Sequence, residues 1–173
     1  MEKGLIQVYT GNGKGKTTAA LGLAMRAAGH GLKVHIVQFM KGWPNYGELA
    51  SVEKLPNVTI RQFGRPEFVD KKHPHPEDIH QAKEALKHAR EAMLSGEYDI
   101  LVLDEVNVAL DFGLIELSDL LSLLKQKPEG VELVLTGRNA HPALIKRADL
   151  VTEMLDIKHP YHKGIKGRKG IEY

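Results

Sequence analysis

The chain has 173 residues, enough for one domain with a proper core. A formal net charge of +2 argues against a protein held to nucleic acid by charge alone, and the lack of cysteine excludes disulfides, Cys-ligated zinc and thiol nucleophiles. The first apolar run is too short for a signal peptide and no segment is long enough to span a bilayer, so the sequence reads as soluble and cytoplasmic.

Leu5 to Tyr9 (LIQVY) predicts a strand that runs into a glycine-rich loop. Lys16 to Ala28 predicts a helix lined with small residues and closed by Gly29-His30-Gly31. Lys33 to Phe39 and Val58 to Phe63 predict the second and third strands, separated by a loop rich in Gly, Pro and aromatic residues. From Glu77 to Leu94 the apolar residues Ile79, Ala82, Leu86, Ala89 and Met93 recur at helical spacing, with Pro76 at the start and Gly96 just past the end. Asp99 to Glu105 (DILVLDE) is the kind of run that is buried on both faces of a parallel sheet. A leucine-marked helix over Leu117 to Leu124 follows, then a fifth strand in VELVLTG. Pro142 opens a short helix, and Asp149 to Ile157 predicts a sixth strand whose mixed pattern suits an edge.

Strand and helix alternate throughout, which predicts an α/β fold: a mostly parallel six-stranded sheet with helices on both faces and a P-loop, RecA-like architecture. Residues 1–157 form the nucleotide-binding domain, and residues 158–173 form a basic, glycine-rich tail of that domain. The tail's composition fits a free segment and one folded over an anionic ligand equally well.

The motifs fall where such sheets bind ligands, beyond the carboxyl ends of the strands. TGNGKGKTT, Thr10 to Thr18, follows the first strand. Against the usual G-x-x-x-x-G-K-[ST] pattern the first glycine is displaced, because Thr10 stands where it belongs and Gly11 comes one residue late. The chemistry still suits a triphosphate. Glycines let the backbone turn N–H groups toward an anion, the following helix adds its positive end, Lys16 supplies charge and Thr17 a hydroxyl for Mg²⁺. Asp104 and Glu105, after a buried strand, resemble a Walker B pair that engages a metal or a water. Arg138, in TGRN, offers a planar fork to phosphate, and Arg26 is a weaker candidate. The loop FMKGWPNYGE carries Lys41, Trp43 (the only tryptophan) and Tyr46. It suits either a cover over a flat substrate or aromatic packing on the domain. His73 and His75, in a Pro-rich loop, make a poor metal site and read as solvated. These residues allow a RecA-like ATPase, a small-molecule kinase or another use of ATP, and none names the acceptor.

GNGKGKTTAALG, VQFMKG followed by WPNYGE, VLDEVN, LTGRNAHP, ADLVTEM and the ending KGIEY, in this order, resemble the ATP:corrinoid adenosyltransferases of bacterial cobalamin synthesis and salvage. The resemblance spans essentially the whole chain, and the altered loop is itself a trait of that family. It implies transfer of the 5′-deoxyadenosyl group of ATP to the cobalt(I) of a reduced corrinoid, with release of intact triphosphate. It also implies an ATP lying reversed in the loop, Mg²⁺ (or Mn²⁺), an electron donor such as a flavodoxin or a reductase, a homodimer, and no nucleic-acid or membrane partner. Carried over to this sequence, Gly11, Asn12, Gly13, Lys14, Gly15, Lys16, Thr17 and Thr18 form the nucleotide loop. Lys16, Arg138 and Glu105 act in catalysis, and Thr17, Asp104 and Glu105 face the metal. Arg26 and Arg138 lie near phosphate, and Lys41, Trp43 and Phe68 near the substrates. Aromatic residues after the third strand shield the corrin in relatives. Here that segment, FGRPEFVDKKHPHP, lacks the Trp of some relatives and offers Phe68 first and Phe63 second. Relatives also carry a basic arm before the first strand, where this sequence has Met1 to Gly4.

Overall fold

The computed structural model describes residues 2–173. Six strands form one sheet in the order β3-β2-β4-β5-β1-β6, and all five neighbouring pairs are parallel. In chain order they are β1 (Ile6–Thr10), β2 (Val34–Phe39), β3 (Val58–Phe63), β4 (Ile100–Asp104), β5 (Glu132–Thr136) and β6 (Leu150–Glu153). The helices are α1 (Lys16–Gly29), α2 (Gly47–Val52), α3 (Pro76–Leu94), α4 (Val106–Asp111), α5 (Leu117–Lys125) and α6 (Pro142–Arg147).

Side chains alternate across each strand, so the central strands feed two separate cores. Val37, Phe39, Leu101, Leu103, Leu133 and Leu135 pack with residues of α3, α4, α5 and α6. Val34, Ile36, Val102 and Val134 face the other way and pack with Ala20, Ala24 and Ala27 of α1. The small residues of α1 bring its axis close to the sheet, and this sets the glycine-rich loop directly over the strand ends. β6 is an edge strand exposed along its length, as its mixed pattern predicts.

Two short helices arise where the sequence reading has a loop or a strand end. α2 forms within the Gly-Pro-aromatic stretch, and α4 starts directly after Glu105. Each has six residues, too few for a helical period to show. A recurring start signal was also hidden: His75, His141 and His159 each precede a proline, and each ring accepts a hydrogen bond from the backbone N–H two residues on. His75 is thus an N-cap of α3, reinforced by Asp78 in a capping box.

Three non-glycine residues adopt left-handed backbone: Met40, Glu105 and Asn139, with φ of 57°, 64° and 56°. They follow the carboxyl ends of the adjacent strands β2, β4 and β5, and all three line the same cavity. Such strain gathers where the surrounding fold holds side chains in set directions.

Candidate active site

The glycine-rich loop is held from behind by the exit of β6. Gly13 N–H donates to Met154 O at 2.7 Å. A Cβ on Gly11 would meet Met154 O at 2.4 Å, and one on Gly13 would meet Leu155 O at 2.5 Å. These glycines are therefore required by close backbone approach. Gly15, at φ 118°, turns the chain into α1. Thr10, in place of the usual glycine, ends β1 and accepts a hydrogen bond from Ala140 N–H at 3.1 Å. Its side chain ties the loop after β5 to the end of β1, which a glycine could not do.

Lys16 opens α1. Its ammonium donates to the carbonyls of Gly11 and Gly13, both at 2.7 Å. Burial lowers its pKa, opposed by the nearby Glu105 and assisted by Arg138. A phosphate in the loop restores a counter-charge and favours the ammonium.

Asp104 is the buried hub of the site. Oδ1 accepts from Thr17 Oγ1 at 2.9 Å and Thr136 Oγ1 at 2.7 Å; Oδ2 accepts from Lys41 Nζ at 2.7 Å and Gln38 Nε2 at 3.2 Å. Despite burial, the Lys41 ammonium and these hydrogen bonds hold its carboxyl below the usual carboxylate range. With four donors around two oxygens, Asp104 positions Thr17 and Lys41 and has little capacity left for a direct ligand. Glu105 is the open acid. Its N–H donates to Thr136 Oγ1 at 3.0 Å, and the residue lines the cavity. Burial, then the charge of Asp104, pushes its carboxyl above the ordinary value, and Lys41, Lys16 and Arg138 pull it back.

Arg138 follows Gly137, is exposed, and lines the cavity. Asn107, fully buried on α4, donates to Gly137 O at 3.3 Å and so fixes the backbone just before Arg138. Sequence reasoning had no signal for Asn107 beyond its place in VLDEVN.

The cavity has a volume of about 1160 Å³. That exceeds the roughly 300–1,000 Å³ of an ordinary single-ligand pocket. Its lining includes the loop from Gly13 to Thr18, Glu105 and Arg138, and also Met40, Lys41, Tyr46 and Phe68. A match to the family described as ATP:corrinoid adenosyltransferase BtuR/CobO/CobP runs over residues 2–173. The chain belongs to this family. A corrinoid adenosyltransferase of Pseudomonas aeruginosa is 39% identical over 172 residues, covering 99% of this chain and 85% of its own. Those of a Sinorhizobium species and Escherichia coli are 40% and 37% identical over 99% of this chain, with 81% and 87% of their own lengths covered.

Within this family fold the remaining candidates separate. Phe68 is fully exposed on the cavity rim. Phe63 is buried at the end of β3 beside His88 and belongs to the core. Trp43 does not line the cavity. It stands edge-to-face behind Tyr46 and Tyr173, each 5.2 Å away between ring centres, and those two tyrosines take the wall. Arg26 is exposed in the last turn of α1 and is absent from the cavity lining, although its neighbours Ala24 and Met25 are part of it. Gly11 and Asn12 also lie outside the lining, whereas Lys14 is in it. Lys14 is engaged by the tail, donating to Ile171 O at 2.8 Å.

Proposed function

We propose that this chain transfers the 5′-deoxyadenosyl group of ATP to the cobalt(I) of a reduced corrinoid. The observation that carries the reading is one cavity, larger than a single-ligand pocket, lined both by the glycine-rich loop and by aromatic side chains. The electron pair of the reduced corrinoid forms the bond to C5′ of ATP while the C5′–O5′ bond breaks, and its electrons leave on inorganic triphosphate. The substrate brings its own nucleophile, so the protein's work is positioning and charge stabilisation.

The backbone N–H groups of the glycine-rich loop and the start of α1 receive the triphosphate. Lys16 turns its ammonium from the Gly11 and Gly13 carbonyls to the phosphates, and Arg138 adds its fork from β5. Together they stabilise charge that grows on the leaving group. Phe68 and the loop after β2 exclude water from the corrin side.

Among the described residues no cluster of three or more His, Asp or Glu could hold a metal alone. The donor set still fits Mg²⁺, a hard cation that takes most of its ligands from phosphates and water. Thr17 Oγ, its proton committed to Asp104, has lone pairs to offer, and Glu105 supplies a carboxylate; Mn²⁺ suits the same oxygens. The ion, when bound, neutralises phosphate charge.

Cobalt(I) needs a strong electron donor, a flavodoxin or a reductase, and this chemistry belongs in the cytoplasm. A homodimer is the assembly we favour, supported by the exposed apolar residues Leu150 and Val151 on the β6 edge and Leu155 and Ile157 beyond it. The test is the phosphate product. ATP with chemically reduced cobalamin should yield a light-sensitive cobalt–carbon product and intact triphosphate. ADP and phosphate released without corrinoid would instead mark an ATPase, and this would defeat the assignment.

A further inference from the structure

The residues after β6 do not trail away from the fold. The chain makes a short 3-10 turn at Pro160–Lys163, reverses at Gly164 and Gly170 (φ 72° and 78°), and ends across the mouth of the glycine-rich loop. Two attachments hold it. At one, Lys14 Nζ donates to Ile171 O at 2.8 Å and lies 3.8 Å from the Glu172 carboxylate. Glu172 is set in place by Arg168, which donates to it from its backbone N–H at 2.7 Å and from Nε and Nη2 at 3.2 and 3.0 Å. At the other, the Tyr173 ring meets Trp43 edge-on. Trp43 meets Tyr46 in the same way, so one indole backs two phenol rings, both on the cavity wall.

We propose that Arg168–Tyr173 is a clasp that completes the cavity, with Tyr173 and Tyr46 forming a wall for a flat ring system of one of the two substrates. The identity of those substrates rests on the adenosyltransferase reading. Aromatic faces favour planar rings, in stacked or edge-to-face contact. Lys14 serves as the pin of the clasp, its charge spent on the tail rather than on phosphate. Exposed ion pairs of this kind are individually weak, so the clasp opens for substrate entry and closes behind it.

Trp43 is the sole tryptophan and therefore reports the clasp directly. In ligand-free protein, Arg168→Ala and Tyr173→Ala should each raise acrylamide quenching of its emission, and Tyr173→Phe should restore the wild-type value. Equilibrium binding is then measured separately for ATP and for cobalamin. Tyr173→Ala should weaken one of them roughly tenfold, the scale of one lost aromatic contact, with Tyr173→Phe near wild type. Loss for ATP alone assigns the wall to the purine, and loss for cobalamin alone assigns it to the corrin. Unchanged quenching in both alanine variants overturns the clasp. A wild-type chain that binds while Tyr173→Ala binds equally well overturns the wall alone. A wild-type chain that binds neither ligand defeats the adenosyltransferase reading and the wall with it, while the quenching result still decides the clasp.

Discussion

Replacing Lys41 by Met should destabilise the ligand-free protein more near neutral pH than in acid. Asp104 is 1% exposed and its Oδ2 lies 2.7 Å from the Lys41 ammonium. Removing one partner of a buried pair costs about 3–5 kcal/mol. Here Thr17, Thr136 and Gln38 still donate to the carboxylate, so the lower end, about 3 kcal/mol, is expected. For a chain of this size that is a fall in Tm of roughly 6–12 °C. The sign with pH follows from the depressed pKa of Asp104. A depressed carboxylate contributes stability above its unfolded pKa, and that contribution is lost as pH falls through the folded value. Without Lys41 the carboxyl rises and takes up a proton more easily, so the gap between variant and wild type should narrow from about pH 7.5 to about pH 5. Thermal or urea unfolding of both proteins at each pH measures it, and Lys41→Met/Asp104→Asn should recover most of the loss. An equal loss at both pH values, or a variant within the error of wild type, would refute the hub role given to Asp104.

Lys16→Ala should weaken ATP binding tenfold or more by calorimetry, since a charge-assisted contact is worth about 1.5–3 kcal/mol. Phe68→Ala should leave stability within about 0.5 kcal/mol of wild type, because the ring is exposed, yet impair corrinoid reduction or binding; unimpaired handling removes Phe68 from the corrin side. Glu105→Gln should raise the Tm of ligand-free protein near neutral pH while weakening metal-dependent ATP binding. The Glu105 carboxyl is raised by burial and by Asp104, so its ionisation costs stability as pH climbs through the unfolded value of about 4.3 and beyond, and the Tm gain should vanish in acid. His35 is buried between Tyr98, Thr59 and His88. Desolvation, with His88 and Arg61, depresses its pKa from 6.5 to about 4. The stability present above about pH 6.5 should fall by on the order of 3 kcal/mol as pH drops toward 4, and His35→Gln should flatten that slope in urea titrations.

The architecture was legible because each central strand is a short apolar run bounded by glycine or charge, and because Lys16-Thr17 stand in register after the first of them. The chemistry of Asp104 and Glu105 was legible as a pair but not as two roles. Only the fold shows that Asp104 points into a cage of donors while Glu105, turned by its left-handed backbone, faces the cavity. For the loop of Trp43 the sequence left substrate cover and packing on the domain both open, and only the resemblance set Trp43 near the substrates; the ring it supports, Tyr173, lies at the other end of the chain. The Lys14–Ile171 bond joins residues 157 apart, and no local pattern encodes such a contact. Arg26 misses the cavity because of the direction it takes from α1: its neighbours Ala24 and Met25, at nearly the same height on the helix, line the cavity and Arg26 does not.

The displaced glycine of the loop follows from what lies on either side of it. A side chain at position 10 holds Ala140, and with it the loop that carries Arg138. The glycines at 11 and 13 let the loop press against Met154 and Leu155. The loop is thus fixed between the ends of β5 and β6, and Lys16 finds its resting partners in the loop's own carbonyls. A hydrolase must also place a water and a base against the terminal phosphate. An enzyme that releases triphosphate whole needs only to grip it, with the reacting carbon left free at the far end. One cavity carries both kinds of group such a reaction calls for: Lys16 and Arg138 line it, and so do the rings of Tyr46, Phe68 and Tyr173.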